Sequence, residues 1–346
     1  MKRLFICERP YPLYRTLIKC MNDSQDDDIV ISNHVDGMEK MYPVLKNTTI
    51  FQNVFFYDDV MYKKFYSFGS EREFSKFPSG IISLLKKLKM YIELQNKAKN
   101  IKLPKGLNFE KYDEIYVNDA TSTLMFYLCN KKKKFIWVEH SKNVFQLKLS
   151  FVYRVCFRIM PILEKLGILY ALHGASKWVE AVEVSNNKNL ISLIRKKTIR
   201  EVNLDQILKY MSEEKKEKIF ELYCKAYELV LDRDKASYII LTAPLFLDGL
   251  VRSEEEQIRV YKNLIKYEIG ENKSVLIKPH PRDKIKYEVA IPGVVVVDPC
   301  ISAEVLNLAG KGYIKGAYGI RTTTVDAFTN VIHKKSYSKE KIKDFL

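Results

Sequence analysis

The stretch Ser274-Val-Leu-Ile-Lys-Pro-His-Pro-Arg-Asp283 constrains this chain more than any other. Val275, Leu276 and Ile277 form a short apolar run of the kind shown by a strand buried in a parallel sheet. The run stops at Lys278-Pro279-His280-Pro281, where two prolines end the strand and restrict the backbone on either side of the imidazole. In an open α/β sheet, ligands bind where the carboxyl ends of strands pass into loops. A histidine there, between Lys278 and Arg282, would meet an anion; a loop histidine on a basic surface is the plainer alternative.

Similar short runs recur along the chain. Leu4–Cys7, Asp28–Ile31, Asn53–Tyr57, Glu114–Val117 and Phe135–Val138 read as strands, with helical stretches at Leu13–Met21, Ile81–Lys99 and Thr121–Cys129 between them. This alternation predicts a parallel sheet covered by helices over residues 1–147. Residues 148–236 read as a helical, polar connection. A second α/β unit over 237–330 takes in Tyr238–Thr242, a capping-box match at Ser253-Glu-Glu-Glu256, the Lys278-Pro-His-Pro strand, a buried strand at Gly293–Asp298 and a weaker one at Gly312–Lys315. Gly319–Asp326 reads as a loop into a helix N-terminus, whose hydroxyls and N–H groups would suit a phosphate. Residues 331–346 read as a tail. No GxGxxG or Walker-type loop is present.

The formal net charge of +16, from 58 Lys and Arg against 42 Asp and Glu, suggests an anionic partner: a nucleotide, nucleic acid or an acidic membrane surface. Plain solubility is the competing explanation. Nucleic acid is disfavoured, because no recognition motif or aromatic-laced basic stripe accompanies the charge. The six cysteines lack metal-ligand spacing and predict reduced thiols in a cytoplasmic protein. No signal-peptide pattern and no run of about 18 uncharged apolar residues is found, so the expectation is a soluble or peripheral protein. Residues 148–173 alternate apolar positions with Arg154, Arg158 and Lys165. That pattern fits a helix on the inner membrane surface, or equally one packed between domains or in a homodimer.

Lys278-Pro-His-Pro-Arg282, Glu304 after the next strand and Thr322-Thr323-Thr324 about eighteen residues further on together resemble the bacterial sialyltransferases of glycosyltransferase family 52, the lipooligosaccharide sialyltransferase group. The opening Leu4–Cys7 with Pro10-Tyr-Pro12 is similar as well, and the resemblance is strongest over 238–330. It implies an α/β fold of two Rossmann-like domains facing each other across a cleft, the GT-B arrangement, with the nucleotide-sugar donor mainly on the C-terminal one. The implied reaction is inverting transfer of sialic acid from CMP-sialic acid to a galactose-ended lipooligosaccharide or capsular glycan. Carried over by position, His280 contacts and protonates the departing phosphate. Lys278 and Glu304 hold the nucleoside, Thr322, Thr323 and Thr324 bind phosphate, and Pro281 and Arg282 complete the donor site. Asp248 is the base. A transferase using another nucleotide sugar, and an inactive glycan-binding relative, remain alternatives.

The family's acidic pair and glycine in the N-terminal domain are reduced here to Glu139-His140-Ser141. Glu139, with Asp119 behind it, is the second choice for the acceptor side. The chemistry needs a base on the acceptor hydroxyl and a donor of positive charge or a proton on the phosphate; a histidine with a pKa near neutrality suits the latter. Metal is not expected. Asp232-Arg-Asp234 matches a DxD pattern, and Asp26-Asp-Asp28 and Asp58-Asp59 are acidic clusters, but Asp232 and Asp234 end a charged helix and read as solvated charge.

Overall fold

The computed structural model describes residues 1–23, 26–60, 79–119, 122–140, 159–171, 174–188, 190–233, 235, 237–270, 272–322, 324–328 and 331–346, with backbone only for 79–87, 192 and 193. These residues form two compact units, one ending at Ser212 and the other running from Glu213 to Leu346.

The first unit is built on seven parallel strands: β1 (Arg3–Cys7), β2 (Asp27–Ser32), β3 (Asn53–Tyr57), β4 (Glu114–Val117), β5 (Phe135–Val138), β6 (Val179–Val184) and β7 (Thr198–Glu201). Their order is β3-β2-β1-β4-β5-β6-β7. Leu4 to Cys7 and Ile29 to Ile31 are buried throughout, as expected of strands with helices on both faces. Helix α1 (Pro10–Asn22) follows β1 directly, with Pro10 pre-setting its first turn and Leu13, Leu17 and Ile18 buried. After a six-residue helical turn at Met41–Lys46 come helix α2 (Ser79–Lys97) and helix α3 (Thr123–Asn130); Ser122 caps α3 by accepting from the Met125 N–H at 3.0 Å. The core joins Leu94, Phe126, Trp137, Val182 and their neighbours.

The second unit has five parallel strands: β8 (Ser237–Leu241), β9 (Ser274–Lys278), β10 (Val295–Val296), β11 (Ile314–Ile320) and β12 (His333–Tyr337), in the order β10-β9-β8-β11-β12. Its main helices are α4 (Glu213–Tyr227) and α5 (Glu254–Leu264). The predicted cap is present: Ser253 accepts from the Glu256 N–H at 3.3 Å, and the Glu256 carboxylate accepts from the Arg252 N–H at 2.7 Å.

Several sequence expectations change. Residues 148–236 are not a uniformly helical connection: β6 and β7 lie within them and extend the first sheet, and the division between units falls at Ser212 rather than near 147. Residues 331–346 are not a tail, since β12 pairs with β11, and Ile342 and Phe345 join the second core. Within Gly293–Asp298 only Val295 and Val296 pair, at the sheet edge, and Val295 is exposed. Of the segment 148–173, residues 148–158, 172 and 173 lie outside the described residues.

In each unit the strand order reverses once, between β1 and β4 in the first and between β8 and β11 in the second. In open α/β sheets the crevice at such a reversal, outside the carboxyl ends of the strands, is the ligand position.

Candidate functional site

At the reversal of the second sheet, β8 ends at Leu241, β9 at Lys278 and β11 at Ile320. The loop after β9 is tied to the end of β8 through Thr242. The Thr242 hydroxyl donates to Asp283 Oδ2 at 2.8 Å and accepts from the His280 backbone N–H at 3.2 Å. Asp283 Oδ2 also accepts from Gln257 Nε2 at 2.9 Å and the Tyr287 hydroxyl at 2.8 Å, and Oδ1 from the Ile285 N–H at 3.2 Å. Burial still raises this carboxyl, against those donors. Asp283 is thus the interior peg that gives the Pro-His-Pro turn one shape.

His280 Nδ1 accepts from the Arg282 N–H at 3.1 Å, which leaves the imidazole proton on Nε2. Burial, then Arg282 and Lys278, push the ring down to about 4. The expected near-neutral histidine is therefore corrected: this ring is a neutral N–H donor at pH 7. Lys278 is also not a free cation. It is 8 % exposed, and its Nζ donates to the carbonyls of Pro279 at 3.2 Å and Pro299 at 3.0 Å, clasping the end of β9 to the loop that precedes Glu304. Burial lowers its ammonium to about 8. Glu304 lies in a 3-10 turn (Ala303–Leu308), accepts from the Ser302 hydroxyl and is partly exposed.

Asp248 joins two loops. It faces Arg282 Nη2 at 3.3 Å and Arg321 Nη1 at 4.0 Å, so one carboxylate bridges the loops after β9 and β11. Arg321 was not singled out in the sequence; its positive φ of 53° just past β11 is a tertiary feature. Thr322 Oγ1 accepts from the Thr324 N–H at 3.1 Å. The turn after it is a four-residue 3-10 segment (Thr324–Ala327), so the expected helix N-terminus is absent and one of its N–H groups is already used. Gly319 is required by this turn, because a Cβ there would meet Thr322 Cγ2 at 2.2 Å and the Leu241 carbonyl at 3.2 Å. Pro281 is exposed beside His280, and Thr323 lies outside the described residues.

The acceptor-side choices sit in the first unit. Glu139, 1 % exposed, accepts from Arg15 Nη1 at 3.1 Å, the Ser185 N–H at 2.9 Å and the Ser185 hydroxyl. Arg15 also reaches Glu183 at 3.1 Å, and Lys19 reaches Glu183 at 2.7 Å. Glu139 is thereby a buried partner in an ion network. Asp119 follows β4 and pairs with Arg9 and with His34 Nε2, the latter at 3.4 Å; these cations hold it well below the usual carboxylate range against the push of burial. His34 Nδ1 faces Asp59 at 3.5 Å, and Asp59 accepts from the Thr123 hydroxyl. Burial would lower His34, but Asp119 and Asp59 raise it to about 9. Glu8 lies with them, and burial raises it to about 8. Sequence reading passed over Glu8 and His34 because their partners come from other strand ends.

The remaining acidic clusters are explained locally. Asp27 holds Arg3 through bonds of 2.7 and 2.6 Å, and Asp28 accepts from the Tyr112 hydroxyl at 2.7 Å. Asp232 is exposed and pairs with Lys235 at 3.3 Å; Asp234 lies outside the described residues. Among the described residues no helix is long and apolar enough to cross a membrane.

An uncharacterized protein of Haemophilus influenzae is 28% identical over 177 residues, 48% of this chain and 55% of the relative, so the chain spans about half the length of the curated relative it matches. Among solved structures, the α/β-galactoside α-2,3-sialyltransferase of Photobacterium phosphoreum is similar at TM-score 0.46 and 11% identity, over 97% of this chain and 90% of that one. The sialyltransferase GT-B domain of Photobacterium damselae gives 0.44 and 9%, over 96% and 90%. The UDP-GlcNAc 2-epimerase of Neisseria meningitidis gives 0.41 and 12%, over 94% and 79%. The family model for glycosyltransferase family 52 matches residues 51–336, a span that includes the whole second-sheet site, and by that match the chain belongs to glycosyltransferase family 52.

Proposed function

We propose that this chain is an inverting, CMP-sugar-dependent glycosyltransferase of the GT-B kind that moves sialic acid from CMP-sialic acid to a galactose-ended lipooligosaccharide or capsular glycan. The observation that carries the reading is the meeting of His280, Arg282, Asp248 and Arg321 on loops at the one strand reversal of the second sheet, within a chain of this family.

The donor phosphate sits against His280 Nε2–H, with Arg282 and Arg321 supplying charge. His280 acts first as a preorganised N–H donor to the phosphate oxygen that gains charge as the glycosidic bond breaks, which stabilises the leaving group without a prior protonated ring. Glu304 takes the ribose hydroxyls, and Thr322, Thr323 and Thr324 the remaining phosphate oxygens. Lys278 positions Glu304 by holding the Pro299 carbonyl. Asp248 is the base for the acceptor hydroxyl. In the free protein its arginines are its counter-ions. A bound phosphate competes for them, which frees the carboxylate to meet the acceptor hydroxyl. The transfer step needs no metal in this scheme.

Peripheral attachment to the anionic inner membrane face fits the same reading. Ile159, Ile162 and Leu166 are exposed at helical spacing, Lys165 is beside them, and the chain carries a +16 charge. Co-sedimentation with vesicles containing anionic lipid at low salt, lost at high salt, is expected; concentration-dependent dimerisation without vesicle binding would replace it with a homodimer face.

The deciding experiment for the activity is a thermal-shift comparison of CMP, UDP and GDP, followed by transfer assays with and without EDTA. CMP should stabilise most, since a ligand that binds only the folded state raises its stability. Preference for UDP or GDP would leave a transferase of another nucleotide sugar. Binding of CMP without any turnover would leave a glycan-binding relative. Loss of turnover in EDTA that Mg²⁺ or Mn²⁺ restores, and that Zn²⁺ does not, would overturn the metal-free step.

A further inference from the structure

The carboxyl ends of β1, β2 and β3 bring Glu8, His34 and Asp59 together inside the first unit. All three are buried, Glu8 and Asp59 completely, and one donor atom from each lies within 4.8 Å of the other two. Most of the surrounding polar atoms have protein partners. Asp59 takes the Thr123 hydroxyl and faces His34 Nδ1, while Asp119 faces His34 Nε2 and pairs with Arg9. Glu8 differs. Neither of its carboxylate oxygens has a hydrogen-bond partner among the described residues, and the Ser122 hydroxyl is near enough to favour the anion without hydrogen-bonding geometry. A buried polar group left without a partner is costly, so the Glu8 carboxyl group beside an imidazole and a second carboxylate calls for a counterpart.

We propose that Glu8, His34 and Asp59 bind one divalent transition-metal ion, with Zn²⁺ the best match to the donors. One imidazole nitrogen and carboxylate oxygens suit Zn²⁺ among the first-row ions. His34 Nδ1 and Asp59 Oδ2 are 3.5 Å apart, close to the roughly 3.4 Å edge of a tetrahedron whose metal–ligand bonds are about 2.1 Å. The other ring nitrogen of His34 faces Asp119, the arrangement by which a carboxylate orients a ligating imidazole. Three protein ligands leave a fourth tetrahedral position, which a water molecule would fill in this buried site. The ion would clasp three strand ends of the first unit, and the proposal does not rest on the sialyltransferase reading.

The test is metal content and binding on the full-length, untagged protein. After stripping with a chelator, titration with Zn²⁺ should show about one tight equivalent per chain by calorimetry and by elemental analysis, and should raise Tm. Co²⁺ in place of Zn²⁺ should give visible d–d absorption. Glu8→Gln keeps the shape of the side chain and should abolish the tight equivalent; Asp119→Asn should weaken it by roughly 10–100-fold. Wild-type protein that takes up no Zn²⁺ and shows no Co²⁺ band overturns the proposal. So does Glu8→Gln protein that binds Zn²⁺ as the wild type does. Should Glu8→Gln fail to fold, the wild-type titration and Co²⁺ spectrum decide alone. None of these readouts uses CMP or turnover, so loss of the sialyltransferase reading leaves the proposal standing.

Discussion

Thr242 and Asp283 are joined by a 2.8 Å hydrogen bond that pins the loop after β9 to the end of β8, and the same Thr242 oxygen receives the His280 N–H. The position of the imidazole therefore depends on a residue from the neighbouring strand. Thr242→Val keeps the side-chain volume but removes both bonds. It should cost about 1–3 kcal/mol in stability and lower kcat, whereas Thr242→Ser should retain most of both. Unchanged kcat in Thr242→Val would show that the loop holds its shape without this tie.

The protonation state of His280 gives a pH signature. Its folded pKa of about 4 lies below the ordinary 6.5, so between these values the unfolded chain binds more protons. Stability should therefore rise as pH goes from about 4 to 6.5, and His280→Asn should flatten part of that slope. Over pH 6–8 kcat/KM should show no titration removed by this substitution. A basic-limb decline that disappears in His280→Asn would instead assign the ring a general-acid role.

Asp248→Asn separates chemistry from binding. Turnover should fall by about 10²–10⁴-fold, the usual contribution of a general base. CMP affinity should hold or improve, because Arg282 and Arg321 lose a competing anion. An active Asp248→Asn enzyme would remove Asp248 from the acceptor side.

Glu139→Gln should act on the fold rather than the reaction. The carboxylate is enclosed with Arg15 and Ser185, so its loss leaves the Arg15 charge with less compensation. Because Glu183 still faces Arg15, the cost should be about 1–3 kcal/mol. A well-folded Glu139→Gln protein without turnover would return the base to the first unit.

Gly319→Ala tests the turn after β11. The added carbon would meet Thr322 Cγ2 at 2.2 Å, so Thr322 and the Arg321 beside it must move. CMP should then stabilise the variant less than the wild type; an equal thermal shift would detach this turn from the donor site.

Much of the fold was legible in the amino-acid order because buried parallel strands need uninterrupted apolar runs. Leu4–Cys7, Ile29–Ile31 and Val275–Ile277 met that need and were found; the prolines around His280 marked the end of β9 from sequence alone. The elements that escaped are the polar ones. Val179-Glu-Ala-Val-Glu-Val184 falls in the stretch read as a helical, polar connection, yet it is a strand whose Glu183 is buried because Arg15 and Lys19 of α1 neutralise it. His333-Lys-Lys-Ser-Tyr337 reads as a tail, yet as an edge strand it pairs through its backbone while its lysines stay in water. Residue type and spacing identified His280 and Arg282 as chemically capable, and the family resemblance pointed to Asp248. What only the tertiary structure decided was the charge state of His280 and the partners of all three. Burial makes His280 neutral, backbone carbonyls claim Lys278, Arg321 arrives beside Asp248 from another strand, and Glu8, His34 and Asp59 meet from three strand ends. Desolvation and Coulomb interaction act through distance in space, and distance in space is set by sheet order rather than by separation along the chain.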